Sequence, residues 1–77
     1  MDIKNIIGGN IRRIRKSKGY SLEDLSAMTA MSKTYINNIE LGRYAITVVK
    51  LEVIAKALKV DLEVLIKKDG YKMVVKG

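Results

Sequence analysis

Residues 32–43 read SKTYINNIELGR, and the way their side chains distribute around a helix decides how the rest of the chain is read. At about 100° per residue, Lys33, Thr34, Asn37 and Asn38 share one flank, while Ile36 and Ile39 point the other way. A helix of about two turns is unstable alone, so its isoleucines must anchor it on a core. The opposite flank then presents hydrogen-bonding groups.

Working outward, four helix starts have one design: a polar N-cap, an apolar residue just before it, and a second apolar residue at the fourth helical position. The sets are Tyr20, Ser21, Leu25; Met31, Ser32, Ile36; Ile46, Thr47, Leu51; and Val60, Asp61, Leu65. Asp24 at the third position of the first set approximates a capping box. Gly19 and Gly42 suit the left-handed residue that follows a helix, and Lys59 stands in a similar place without glycine's freedom. Upstream, Ile7, Ile11 and Ile14 follow helical spacing, so a first helix runs to about Lys18 and starts between Ile3 and Asn5. Gly8 and Gly9 weaken its beginning by about 1 kcal/mol each relative to alanine. Leu51, Ile54, Ala55 and Leu58 form an apolar stripe on a fourth helix, and Leu62, Leu65 and Ile66 on a fifth. Beyond Lys68, Asp69 and Gly70 signal a turn, and YKMVVK (71–76) alternates in a way that leaves two readings open, a short strand or a tail.

Seventy-seven residues enclose one modest core and therefore one domain. With no cysteine or histidine, zinc sites, disulfides and histidine-based triads all lose their ligands, and the chain is expected to be neither an enzyme nor the holder of a cofactor or metal. Apolar runs are short and the start is not that of a secretory signal, so a soluble, cytoplasmic protein is expected. The formal charge of +7 points to a polyanionic partner, nucleic acid or an acidic membrane. Five of the seven residues in RRIRKSK (12–18) are basic, a density that also fits an ordinary solvated helix face.

The second and third helices are joined by a few residues around Thr29 to Met31, which makes them cross steeply. A helix-turn-helix uses that geometry to hold its second helix where it can enter a major groove. At this point the sequence resembles the phage repressor and Cro-like (XRE-type) helix-turn-helix family over roughly residues 7–66, through IRRIRKSKGYSLEDL, MSKTYINNIELGR and LEVIAKALKVDLEVLI in the family's order and spacing. The resemblance implies an all-α, five-helix, lambda-repressor-like domain over 1–68, followed by a C-terminal tail or strand over 69–77. It puts Leu25, Met31, Ile36 and Ile39 in the apolar positions of the motif. Lys33, Thr34, Asn37 and Asn38 take the base-facing positions, and Ser21, Tyr35, Arg43 and Tyr44 fall where the family commonly touches phosphate. Arg15 and Glu40 match a buried ion pair tying the first helix to the third. Five positions depart from the family pattern: Leu22 for a DNA-contacting Gln, Ser26 for Ala, Thr29 for an apolar residue, Ala30 for the turn Gly, and Ile46 for Pro. The last looks like the controller proteins of restriction-modification systems.

The implied function is a transcriptional regulator, repressor or controller, that binds double-stranded DNA. Since one recognition helix touches few base pairs, a homodimer on a pseudo-palindromic operator with half-sites about 34 Å apart is expected. The dimer contact is expected near Leu62, Ile66, Tyr71, Met73 and Val75. Two rivals remain: an antitoxin-like protein-interaction module on the same scaffold, and a basic amphipathic protein on acidic membranes. The caps and short connections favour a compact core over the second.

Overall fold

Asp2 starts the first helix, its carboxylate accepting from the Lys4 N–H at 2.9 Å. The computed structural model describes residues 2–75, and five helices follow: α1 Ile3–Ser17, α2 Leu22–Thr29, α3 Lys33–Glu40, α4 Val48–Leu58 and α5 Leu62–Ile66. α1 therefore begins at the earlier of the two expected starts despite Gly8 and Gly9. The structure gives Gly8 a use, because a Cβ there would lie 2.6 Å from the Glu40 carbonyl oxygen and closer still to that of Ile39. The missing side chain lets the C-terminal end of α3 rest on α1. Gly9 meets nothing within 4 Å.

Three of the four expected N-caps make their side-chain bond. Ser21 accepts from the Asp24 N–H while Asp24 accepts from the Ser21 N–H, both at 2.9 Å, which closes the capping box. Ser32 accepts from Tyr35 N–H at 3.0 Å and Thr47 from Lys50 N–H at 3.2 Å. Asp61 caps α5 by position without such a bond. Gly19 and Gly42 take positive φ after α1 and α3, and Lys59 adopts the same left-handed conformation after α4, φ 59°.

The core draws on every helix: Ile11 and Ile14, Leu25, Ile36 and Ile39, Leu51, Ile54, Ala55 and Leu58, then Val64 and Leu65. Of the stripe expected on α5, Leu65 and Leu62 pack on the core and Ile66 does not. Val64 and Leu65 are buried, Leu62 is half-buried and Ile66 is exposed. With only five residues the helix makes little more than one turn, and the chain turns extended at Lys67, φ −88° and ψ 137°.

What holds that turn is Asn10, buried on the apolar face of α1. Its Nδ2 donates to the carbonyls of Leu65 at 3.0 Å and Lys67 at 2.8 Å, and its Oδ1 accepts from Tyr71 N–H at 2.9 Å. A buried amide must satisfy its donors and acceptors, and here doing so ties α1 to residues far along the chain. The strand considered for 71–76 does not form among the described residues. Gly70–Met73 closes as a 3-10 turn after a left-handed Asp69, with Val74 and Val75 packed on the core. The alternation is not kept, since Met73 is exposed and Val74 packs beside Val75, and Asn10, not a neighbouring strand, takes the Tyr71 N–H. Met1 and residues 76–77, the ends of the two expected segments, lie outside the described residues.

The turn between α2 and α3 keeps a left-handed backbone at Ala30, φ 60° and ψ 19°. Two other departures from the family pattern bond across it. Ser26 Oγ donates to the Met31 carbonyl at 2.6 Å, and Thr29 Oγ1 donates to Leu25 O at 2.8 Å while accepting from Met31 N–H at 3.3 Å. Both backbone groups of Met31 are thus held by hydroxyls, which offsets the strain of a side chain at positive φ. Ala30→Gly should relieve that strain and raise stability by about 1 kcal/mol, read as an upward shift of the urea midpoint at unchanged slope. No shift would mean that the hydroxyl bonds already remove the strain.

Candidate nucleic-acid interface

The polar flank of α3 stands clear because its other side is fully engaged. Ile36 is 0% and Ile39 1% exposed, whereas Lys33, Thr34 and Asn37 are exposed and Asn38 is half-buried. Burial of two isoleucines contributes about 1.5–3 kcal/mol each, enough to hold an eight-residue helix that propensity alone would not. α3 also packs on α1 and α2, so its orientation is set from two directions.

The tie to α1 is electrostatic as well as apolar. Arg15 Nε donates to Glu40 Oε2 at 2.7 Å and Nη2 to Oε1 at 2.9 Å, while Nη1 donates to Tyr20 O at 2.8 Å. Both side chains are buried, at 8% and 2% exposure. The hydrogen bonding that Glu40 accepts, helped by its charge, raises the Arg15 pKa above the usual arginine value against the opposing pull of burial. A fork-to-fork pair of this kind fixes direction as well as distance, and it ends on the last residue of α3.

Asn38 does not point freely outward. Its Nδ2 donates to Thr34 O at 3.0 Å and its Oδ1 accepts from Arg43 Nη1 at 3.3 Å, and the Arg43 N–H donates to Asn38 O at 3.0 Å. Arg43 is thereby held against the end of α3. Tyr35 is half-buried and Tyr44 48% exposed, their ring centroids 6.2 Å apart with planes 36° from parallel. Ser21 is exposed, with its hydroxyl oxygen already occupied as a cap. Leu22 packs half-buried against the core, so it offers α2 anchorage where the family often has a polar contact. The eight expected contact residues thus fall on α3, the segment after it, and the start of α2.

Sequence reasoning missed one group at this surface and three exposed valines on α4. Lys50 places its Nζ 4.8 Å from the Tyr35 ring centroid, a meeting of α4 and α3 with no local signal. Val48, Val49 and Val53 leave 68%, 74% and 37% of their surface exposed on α4. The valines were visible as residues off the Leu51–Ile54–Leu58 stripe.

The chain is similar to known proteins in both sequence and fold. The family profile described as Helix-turn-helix (HTH_3) matches residues 11–65. An HTH-type transcriptional regulator of Sinorhizobium fredii, y4dJ, is 37% identical over 61 residues, 79% of each chain. Control protein C.SmaI of Serratia marcescens is 33% identical over 72 residues, 94% of this chain and 86% of that one. The crystal structure of a hypothetical transcription factor from Neisseria superposes with a TM-score of 0.85 at 27% identity, covering 97% of this chain and 86% of its own. An HTH_3-family regulator from Vibrio cholerae gives 0.79 at 26% identity, over 94% of this chain and 40% of that one. With α2 and α3 set at the turn as described, the chain belongs to the XRE-type helix-turn-helix (HTH_3) family of DNA-binding regulators.

Proposed function

We propose that this protein is a sequence-specific regulator that binds a pseudo-palindromic operator as a homodimer, with α3 in the major groove of each half-site. The observation that carries the reading is the exposure of Lys33, Thr34 and Asn37 opposite the buried Ile36 and Ile39. Amides, hydroxyls and an ammonium on one flank match the donors and acceptors of base edges. Lys33, Thr34, Asn37 and Asn38 face the bases, Asn38 with the N–H and lone pair not used by Thr34 and Arg43. Ser21, Tyr35, Arg43 and Tyr44 meet phosphate. The role is regulatory and not enzymatic, in the cytoplasm, and similarity to a control protein favours a controller of nearby genes.

Self-association uses the apolar face around Leu62, Ile66, Tyr71, Met73 and Val75. Ile66 and Met73 expose 44% and 62% of their surface. Among the described residues no helix is long and apolar enough to cross a membrane.

Selection of bound duplexes from a random pool tests the reading: a two-fold symmetric consensus should emerge, and enrichment of no motif would overturn it. On that consensus, Asn38→Ala should cost about 1–3 kcal/mol and relax preference at one position per half-site. Arg43→Ala should weaken consensus and random duplex alike, with a salt slope smaller by about 0.9 for each phosphate that the side chain no longer neutralises. Identical behaviour of the two variants on both duplexes would refute the division between base and backbone contacts.

A further inference from the structure

Lys50 lies outside the helix-turn-helix, in the first turn of α4, yet its ammonium sits over the face of Tyr35 on α3. The same tyrosine also meets Tyr44, at 6.2 Å between ring centroids. Elsewhere on the surface Lys56 and Lys72 each stand 3.9 Å from a carboxylate, Glu52 and Asp69. Among the described residues Lys50 has no such partner. An exposed cation–π contact contributes only about 0.5–1 kcal/mol, enough to bias where the ammonium rests. Unlike a carboxylate, the ring leaves the positive charge unneutralised, and the N–H donors turned away from it are free to bond an anion. Arg43, steadied by Asn38, is a second cation beside α3, beyond its C-terminal end, likewise without a carboxylate partner among the described residues.

We infer that Lys50 is a backbone-phosphate contact of the bound duplex, held ready by the Tyr35 ring. The inference rests on the reading of α3 as the major-groove helix and adds to it a contact from a different helix. Arg43 follows α3 directly, whereas Lys50 is carried by α4, which is anchored in the core through Leu51 and Ile54. Added to Ser21 at the start of α2 and Arg43 after α3, a phosphate contact from α4 further constrains the angle at which α3 lies in the groove.

The test is a set of fluorescence-anisotropy titrations of the full chain against the selected operator and a random duplex, over about 50 to 200 mM salt. Lys50→Gln should make the slope of log K against log salt shallower by about 0.9 per phosphate, about 1.8 for two copies on one site, on both duplexes. Lys50→Arg should keep the slope, and Lys72→Gln should not change it. In a Tyr35→Leu background, Lys50→Gln should remove less than it does alone, because the ammonium is no longer placed. If the parent selects an operator but Lys50→Gln leaves slope and affinity unchanged, the Lys50 contact is refuted while the docking of α3 stands. If the parent binds no duplex, both fall together. Loss of binding to an acidic protein surface with unchanged DNA binding would also overturn the assignment.

Discussion

Glu40→Ala should lower the unfolding free energy by about 3–5 kcal/mol, because it leaves the Arg15 guanidinium buried without its counter-charge. For a chain of this size the total stability is about 4–12 kcal/mol, so the variant should lose a large share of it. The size of the loss follows from removing one partner only. Arg15 donates two bonds to Glu40, at 2.7 and 2.9 Å, and no other carboxylate pairs with it among the described residues. Replacing both, as Arg15→Met with Glu40→Leu, should recover most of the deficit, since an apolar pair avoids the desolvation of two charges. Recovery should stop short of completion because the Tyr20 carbonyl, which accepts from Arg15 at 2.8 Å, then loses a partner worth about 1 kcal/mol. Urea melts of the two single variants and the double variant measure this cycle. A loss below about 1 kcal/mol for Glu40→Ala would show that the pair behaves as a surface bridge.

Gly8→Ala should destabilise by about 3 kcal/mol, while Gly9→Ala, one residue on, should stabilise by up to about 1 kcal/mol. Alanine is the better helix former at both positions, so propensity predicts a gain in each case. At Gly8 the added Cβ would be 2.6 Å from Glu40 O and 2.9 Å from its carbonyl carbon. These are backbone atoms that can yield only by moving the end of α3 off α1. At Gly9 the Cβ enters open space. Because the displaced element is the one that carries Lys33, Thr34 and Asn37, Gly8→Ala should also weaken duplex binding at temperatures where it remains folded. Thermal melts of the two variants decide the matter, and shifts of the same sign would refute the close packing of α1 on α3.

Much of the architecture is local and was legible for that reason. Ser21, Ser32 and Thr47 cap the helices they were expected to cap, since a cap needs only its own residue and an N–H three positions on. The core stripe Leu51–Ile54–Ala55–Leu58 is likewise a matter of periodicity within one helix. At the candidate interface the residue types on the flank of α3 could be read in the same way. The engagement of Asn38 with Arg43 could not, although the five-residue separation was visible, because it depends on how the chain turns after α3. Asn10 had a faint signal: it lies three residues after Ile7 and four before Ile14, on the apolar face, where a polar side chain must find internal partners.

Those partners, the carbonyls of Leu65 and Lys67 and the N–H of Tyr71, lie 55 or more positions away. Spacing along one helix carries no information about them. The order of the helices, their caps, and the split of α3 into an anchoring and an outward flank belong to the amino-acid sequence alone. The 3-10 turn of residues 70–73, the opposite roles of two adjacent glycines, the coupling of Ser26 and Thr29 to the strained Ala30, and the placement of Lys50 over Tyr35 belong to the tertiary structure. Each depends on atoms brought together by packing, and a local pattern can specify which faces are apolar without specifying which neighbour will cover them.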